Sequence, residues 1–143
     1  MRLLYVLGIL LFTCLLAQKA TADLAIVVHP DNPISSLSDK DVQKIFLGRL
    51  RMFPETSMEP QTIDLPDDSA LYSRFYARIA QMTPAKVRRY RAFYLFSGKG
   101  KVPQQANDQT EVVSKIRSDS RAIGYLDASA DLAGMKVVLI LEE

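Results

Sequence analysis

Thiol and imidazole chemistry have almost no material in this 143-residue chain, which holds one cysteine, Cys14, and one histidine, His29. Cys14 lies in the N-terminal apolar run, so everything downstream is free of thiols and disulfides. One imidazole and no thiolate make neither a zinc-ligand spacing nor a His-assisted serine constellation. His29 follows a strand-like run, on the side where open α/β sheets face ligands, but a solvated turn residue is the simpler reading. Excess charge is also scarce. The chain has 18 Lys and Arg against 16 Asp and Glu, and without Arg2 and Lys19 the balance is zero. A polyanion binder is far more basic, which excludes nucleic acid as the expected partner. Paired carboxylates such as Asp67-Asp68 read as helix-start charges rather than as acid and base. The expectation is a non-enzymatic protein with no cofactor and no metal.

The first 22 residues read as a cleaved export signal. Arg2 gives a basic start, residues 3–16 form an apolar run, and Ala20-Thr21-Ala22 has the small-x-small cleavage pattern. The run is short for a bilayer span, and Leu11-Phe12-Thr13-Cys14 lacks the small residues that precede a lipidated cysteine. The expected organisation is a signal at 1–22 and one domain at 23–143, placed in the periplasm. About 120 residues suffice for one hydrophobic core, and export without disulfides leaves that core to stabilise the fold.

What remains is a regular alternation of strand and helix signals. Leu24-Ala25-Ile26-Val27-Val28 is a continuous apolar run, as in a strand covered on both faces. Ser38 caps a helix with Asp39 and Asp41 in its first turn and Gly48 as its stop. A Pro-containing loop follows, then a short strand at 62–65. The spacing predicts a helix over 69–81 that buries Leu71, Phe75 and Ile79, with Tyr72 and Tyr76 alongside. Thr83-Pro84 starts another over 84–95, expected to bury Val87, Tyr90 and Tyr94, with Arg88, Arg89 and Arg91 on a solvated face. A helix near 108–118 and strands at 122–126 and 136–141 complete an α/β pattern with a mostly parallel sheet flanked by helices. There is no internal repeat and no low-complexity linker.

Two segments carry a family likeness. His29-Pro30-Asp31-Asn32-Pro33, the capped run from Ser35 through Asp39 to Ile45-Phe46-Leu47-Gly48, and Ala122-Ile123-Gly124-Tyr125 together resemble one lobe of the periplasmic phosphate-binding proteins of ABC transporters. The likeness covers most of residues 24–141, about half the family's usual length. It implies a single lobe of a type II periplasmic-binding-protein-like fold. In that family an Arg-x-x-Gly-Ser-Gly-Thr type motif at a helix start grips phosphate. The matching stretch here is Asp64-Leu65-Pro66-Asp67-Asp68-Ser69-Ala70-Leu71. Ser69 matches the family serine, while the Arg is absent, Asp68 replaces Gly and Leu71 replaces Thr.

A helix N-terminus can hold an oxyanion on backbone N–H groups, but Asp67 and Asp68 bring repulsion to that place. Ser69 therefore reads either as a cap alone or as a retained anion contact. Ser97-Gly98-Lys99-Gly100-Lys101 lacks the spacing of a P-loop. It reads either as a solvated loop or as compensating charge with turned amides. The expected ligand-binding set is Ser36, Ser69, Ser97, Gly98 and Lys99. Arg49 and Arg51 are placed to satisfy terminal carbonyls of the preceding helix. Two functions follow from the resemblance: a solute-binding-like domain for phosphate or a related oxyanion in uptake or sensing, or an interaction module that has lost its ligand and meets a membrane sensor or transporter partner. A lone lobe is also compatible with self-association.

Overall fold

Residues 23–143 are described by a computed structural model; the expected signal segment, with Cys14 and the cleavage pattern, lies outside the described residues. Strand β1 (Leu24–Val28) is buried at every position, as its unbroken apolar run requires. It sits between β4 (Ala122–Asp127) and β5 (Lys136–Leu141), with Ile26 opposite Tyr125 on one side and Leu139 on the other. Beyond β4 lie β2 (Gln61–Asp64) and the two-residue β3 (Gln104–Gln105), giving the order β3-β2-β4-β1-β5.

The sheet is mixed, which corrects the expectation of a mostly parallel one. Strand β2 pairs parallel with β3 and β4, whereas β1 runs antiparallel to β4 and β5. Strands β2, β3 and β4 are joined through helices, and such crossovers enforce parallel pairing. No crossover ties β1 to its neighbours. It pairs across nearly the whole chain, a placement that local alternation does not encode.

The helices follow their sequence signals closely. Helix α1 (Asp39–Phe46) begins with a capping box: Ser38 Oγ accepts from Asp41 N at 3.1 Å, and the Asp41 carboxylate accepts from Ser38 N at 3.3 Å. Its C-terminal end is closed by backbone amides, with Gly48 at φ +74° and Arg49 N donating to Lys44 O at 2.7 Å. The Arg49 side chain is not used there; its Nε donates to the Tyr90 hydroxyl at 2.7 Å.

Helix α2 (Ala70–Ala80) buries Leu71, Tyr72, Phe75, Tyr76 and Ile79 as the four-residue spacing predicts. Helix α3 (Pro84–Phe96) differs from expectation: only Val87 is fully buried, and Tyr90 and Tyr94 are half-exposed. Helix α4 (Gln109–Ser118), capped by Asp108, packs Val112 and Ile116 on β4. Among the described residues the buried core runs from Leu24 to Leu141, so residues 23–143 enclose it.

The contact of α4 with β4 depends on Gly124. A Cβ built there would lie 2.9 Å from Val112 Cγ1 and 3.2 Å from Ile116 Cδ1. Val112 is β-branched and cannot swing aside cheaply. Gly124→Ala is expected to destabilise the domain by about 1–3 kcal/mol, read as a lower urea midpoint with unchanged slope. An unchanged midpoint would mean that α4 yields at no cost.

Candidate functional site

Strand β2 ends in a carboxylate that the core encloses. Asp64 is only 3% exposed, and a buried charge needs partners. Three side chains from three other elements and one backbone amide supply them. Tyr76 of α2 donates its hydroxyl to Asp64 Oδ2 at 2.7 Å, and Tyr125 of β4 donates to Oδ1. Arg91 of α3 reaches Oδ2 at 2.8 Å and also bonds the Tyr76 hydroxyl. The next backbone amide, Leu65 N, donates to Oδ1 at 3.1 Å.

Electrostatics hold the two phenols and the guanidinium each in one protonation state. Burial, reinforced by the Asp64 charge, pushes both the Tyr76 and Tyr125 phenols far above their ordinary range, so both remain neutral donors. Burial acts to lower Arg91, but its interactions with Tyr76 and Asp64 outweigh this and the guanidinium stays charged. Its Nε is buried with no hydrogen-bond partner. The cluster joins β2, β4, α2 and α3 at one point.

An open cavity of about 250 Å³ lies against this cluster, walled in part by Asp64, Asp67, Tyr72, Arg88, Arg91 and Gln105. It sits at the carboxyl end of β2 and beside the start of α2, the side on which open α/β sheets bind ligands. Arg88 bridges Asp67 at 2.6 Å, as Arg91 bridges Asp64. Two guanidinium groups thus face two carboxylates, and the formal charge of the wall is zero.

The five residues expected from sequence do not converge. Ser36 is exposed in the extended run before α1 and lines neither this cavity nor the one beside Lys99. Ser69 is the N-cap of α2, its Oγ accepting from Tyr72 N at 3.1 Å, and it stands next to the cavity without lining it. Ser97 caps the end of α3 and donates to Tyr94 O at 2.8 Å. Gly98 and Lys99 belong to a second cavity of about 250 Å³, shared with Arg51, Glu59 and Lys101. There Lys101 is already paired with Glu59 at 2.6 Å. His29 is a turn residue whose Nδ1 accepts from Asp31 N at 3.0 Å.

Sequence reasoning missed Asp64, Tyr125 and the inward turn of Arg91. The last carried a readable signal. Arg91 follows the buried Val87 by four residues, which places it on the same helix face.

The fold is that of one lobe of the phosphate ABC transporter substrate-binding proteins. A phosphate-bound putative member from Clostridium perfringens aligns at a TM-score of 0.65 and 16% identity, over 82% of this chain and 44% of that one. An ABC-type phosphate transport receptor from Vibrio cholerae gives 0.65 and 14%, over 82% and 45%. PstS from Borrelia burgdorferi gives 0.63 and 15%, over 85% and 47%. The chain spans less than half the length of these proteins, and at such identities the similarity is one of fold. No family model matches the sequence, nor does any curated protein.

Proposed function

We propose that this chain is an exported, non-enzymatic solute-binding-like domain whose cavity beside Arg88 and Arg91 takes phosphate or a related oxyanion. The observation that carries the reading is the convergence of two arginines beside the start of α2, at the carboxyl end of β2. The C. perfringens neighbour, whose fold this chain shares, holds phosphate. Because Asp67 and Asp64 neutralise the wall, a ligand must displace or share the Arg88–Asp67 bridge. A protonated oxyanion suits this, since it can donate to Asp67 while accepting from Arg88. Affinity is correspondingly weak. The reading places the domain in the periplasm, in phosphate uptake or sensing.

Calorimetric titration of residues 23–143 with phosphate and then sulfate tests it. The expected result is a saturable signal for phosphate that Arg88→Ala weakens about fivefold or more, in line with the loss of one charge-assisted hydrogen bond. Arg88 is exposed, so its removal leaves the fold intact. Ser69→Ala is a poor probe because it removes a helix cap worth about 1 kcal/mol; Ser69→Gly keeps most of that stability. No heat at millimolar phosphate would sink the oxyanion reading.

The neutral wall itself favours a second reading, an interaction module that has lost its ligand and presents the lobe to a membrane sensor or transport partner. Under it, Arg89→Glu abolishes complex formation while phosphate has no effect. Arg91 is unsuitable for charge reversal because it is locked to buried Asp64.

A further inference from the structure

The C-terminal end of α3 stands out of the molecule as an apolar tip. Phe96 is 94% exposed, Phe93 73% and Leu95 50%, and Val102 of the following loop is 56% exposed. None of these residues is needed to close the core, and single exposed apolar residues mean little, but a contiguous cluster marks an interaction site.

The helix and the loop after it carry no acidic residue; of their cations Lys86, Arg88, Arg89, Arg91, Lys99 and Lys101, three (Arg88, Arg91 and Lys101) are paired with carboxylates elsewhere. Arg89 and Lys99 have no carboxylate partner among the described residues. Arg49, on the neighbouring loop, stands over the Tyr90 ring at 5.3 Å. Glu59, at the cavity beside the loop, is paired with Lys101.

We infer that this tip docks on an anionic phospholipid surface. The arrangement of polarity along α3 decides between occupants. A helix that lies in a protein groove carries an apolar stripe along its length. The outward positions of α3 are instead divided end to end: Ala85, Lys86, Arg88 and Arg89 in the first half, then Ala92, Phe93, Leu95 and Phe96. From Arg89 to Phe96 is seven residues, a rise of about 10 Å. Interfacial segments seat their apolar groups about 5–10 Å into the headgroup and acyl boundary. With the phenyl rings at that depth, Arg89 sits near the level of the lipid phosphates. A second copy is disfavoured, since a twofold contact through the tip would set Arg89 and Lys99 against their own equivalents. Among the described residues no helix is long and apolar enough to cross a membrane, so the contact is superficial.

The test is partition of residues 23–143 onto vesicles of phosphatidylcholine alone and of equimolar phosphatidylcholine and phosphatidylglycerol. Binding is expected on the anionic vesicles only, and raising the salt should weaken it. Phe93→Ser with Phe96→Ser should lower the partition coefficient at least about tenfold, and Arg89→Glu with Lys99→Glu should do likewise, both leaving the urea midpoint in place. Absence of partition by the unaltered protein, or binding that survives Phe93→Ser with Phe96→Ser, would overturn the inference. A concentration-dependent dimer abolished by those two serines, without vesicle binding, would overturn it in favour of a second copy.

Discussion

Asp64→Ala is expected to cost about 3–5 kcal/mol, the range for breaking a buried ion pair by removing one partner. Domains of this kind are stable by only about 5–15 kcal/mol, so the variant should be partly unfolded or close to it. The cause is what remains behind: the Arg91 charge and the hydroxyls of Tyr76 and Tyr125, all aimed at an empty place. The urea midpoint measures the loss. Asp64→Leu combined with Arg91→Met, Tyr76→Phe and Tyr125→Phe should recover much of it, because that apolar replacement leaves only the Leu65 amide without its partners. A single-variant loss under 1 kcal/mol would show that water reaches the cluster.

The same phenols make the domain sensitive to alkali. Tyr76 and Tyr125 are pushed above the unfolded value by burial first and by the Asp64 charge second. Their contribution is fully present below about pH 10. Above it the unfolded chain releases protons that the native state keeps, and stability falls by about 2.7 kcal/mol per pH unit for two phenols. Tyr125→Phe should roughly halve that slope.

Phe75→Ala should be comparably severe, at about 3–5 kcal/mol. Phe75 is fully buried and holds three rings together. It stacks on Tyr125 at 3.9 Å and 4°, and meets Phe46 at 4.8 Å and Tyr76 at 4.9 Å edge-on. Without it Tyr125 loses the surface that aims its hydroxyl at Asp64. The loss should therefore combine non-additively with Tyr125→Phe, and the near-ultraviolet circular dichroism of the tyrosines should change. By contrast Phe93→Ala, at the exposed tip of α3, is expected to stay within about 0.5 kcal/mol. Equal effects at the two positions would contradict the assignment of core and surface.

The legible parts of this protein are those set by neighbours in the chain. Ser38, Ser69, Thr83 and Asp108 begin helices where their side chains reach the amide three residues on. Leu71, Phe75 and Ile79 face the core because helical geometry repeats nearly every four residues. The parallel run of β2, β3 and β4 follows from the helices between them. The family likeness at Asn32-Pro33 and at Ile123-Gly124-Tyr125 pointed to the right fold for the same reason, since those residues make a turn and a strand in place.

Long-range pairing lay beyond that reach. The insertion of β1 between β4 and β5 depends on contacts across about a hundred residues. Asp64 and Arg91 look like surface charges in their own segments, and only packing turns them towards each other, 27 residues apart. The expected ligand residues separated for the opposite reason: Ser69 and Lys99 are each plausible locally, but the fold places them at different cavities. Sequence alone determined the elements, their caps and the faces they bury, because those rest on spacings within a turn or two of chain. The tertiary structure decided the sheet order, the buried charge cluster and the exposed tip of α3, because each is a matter of which distant surfaces meet and which meet none.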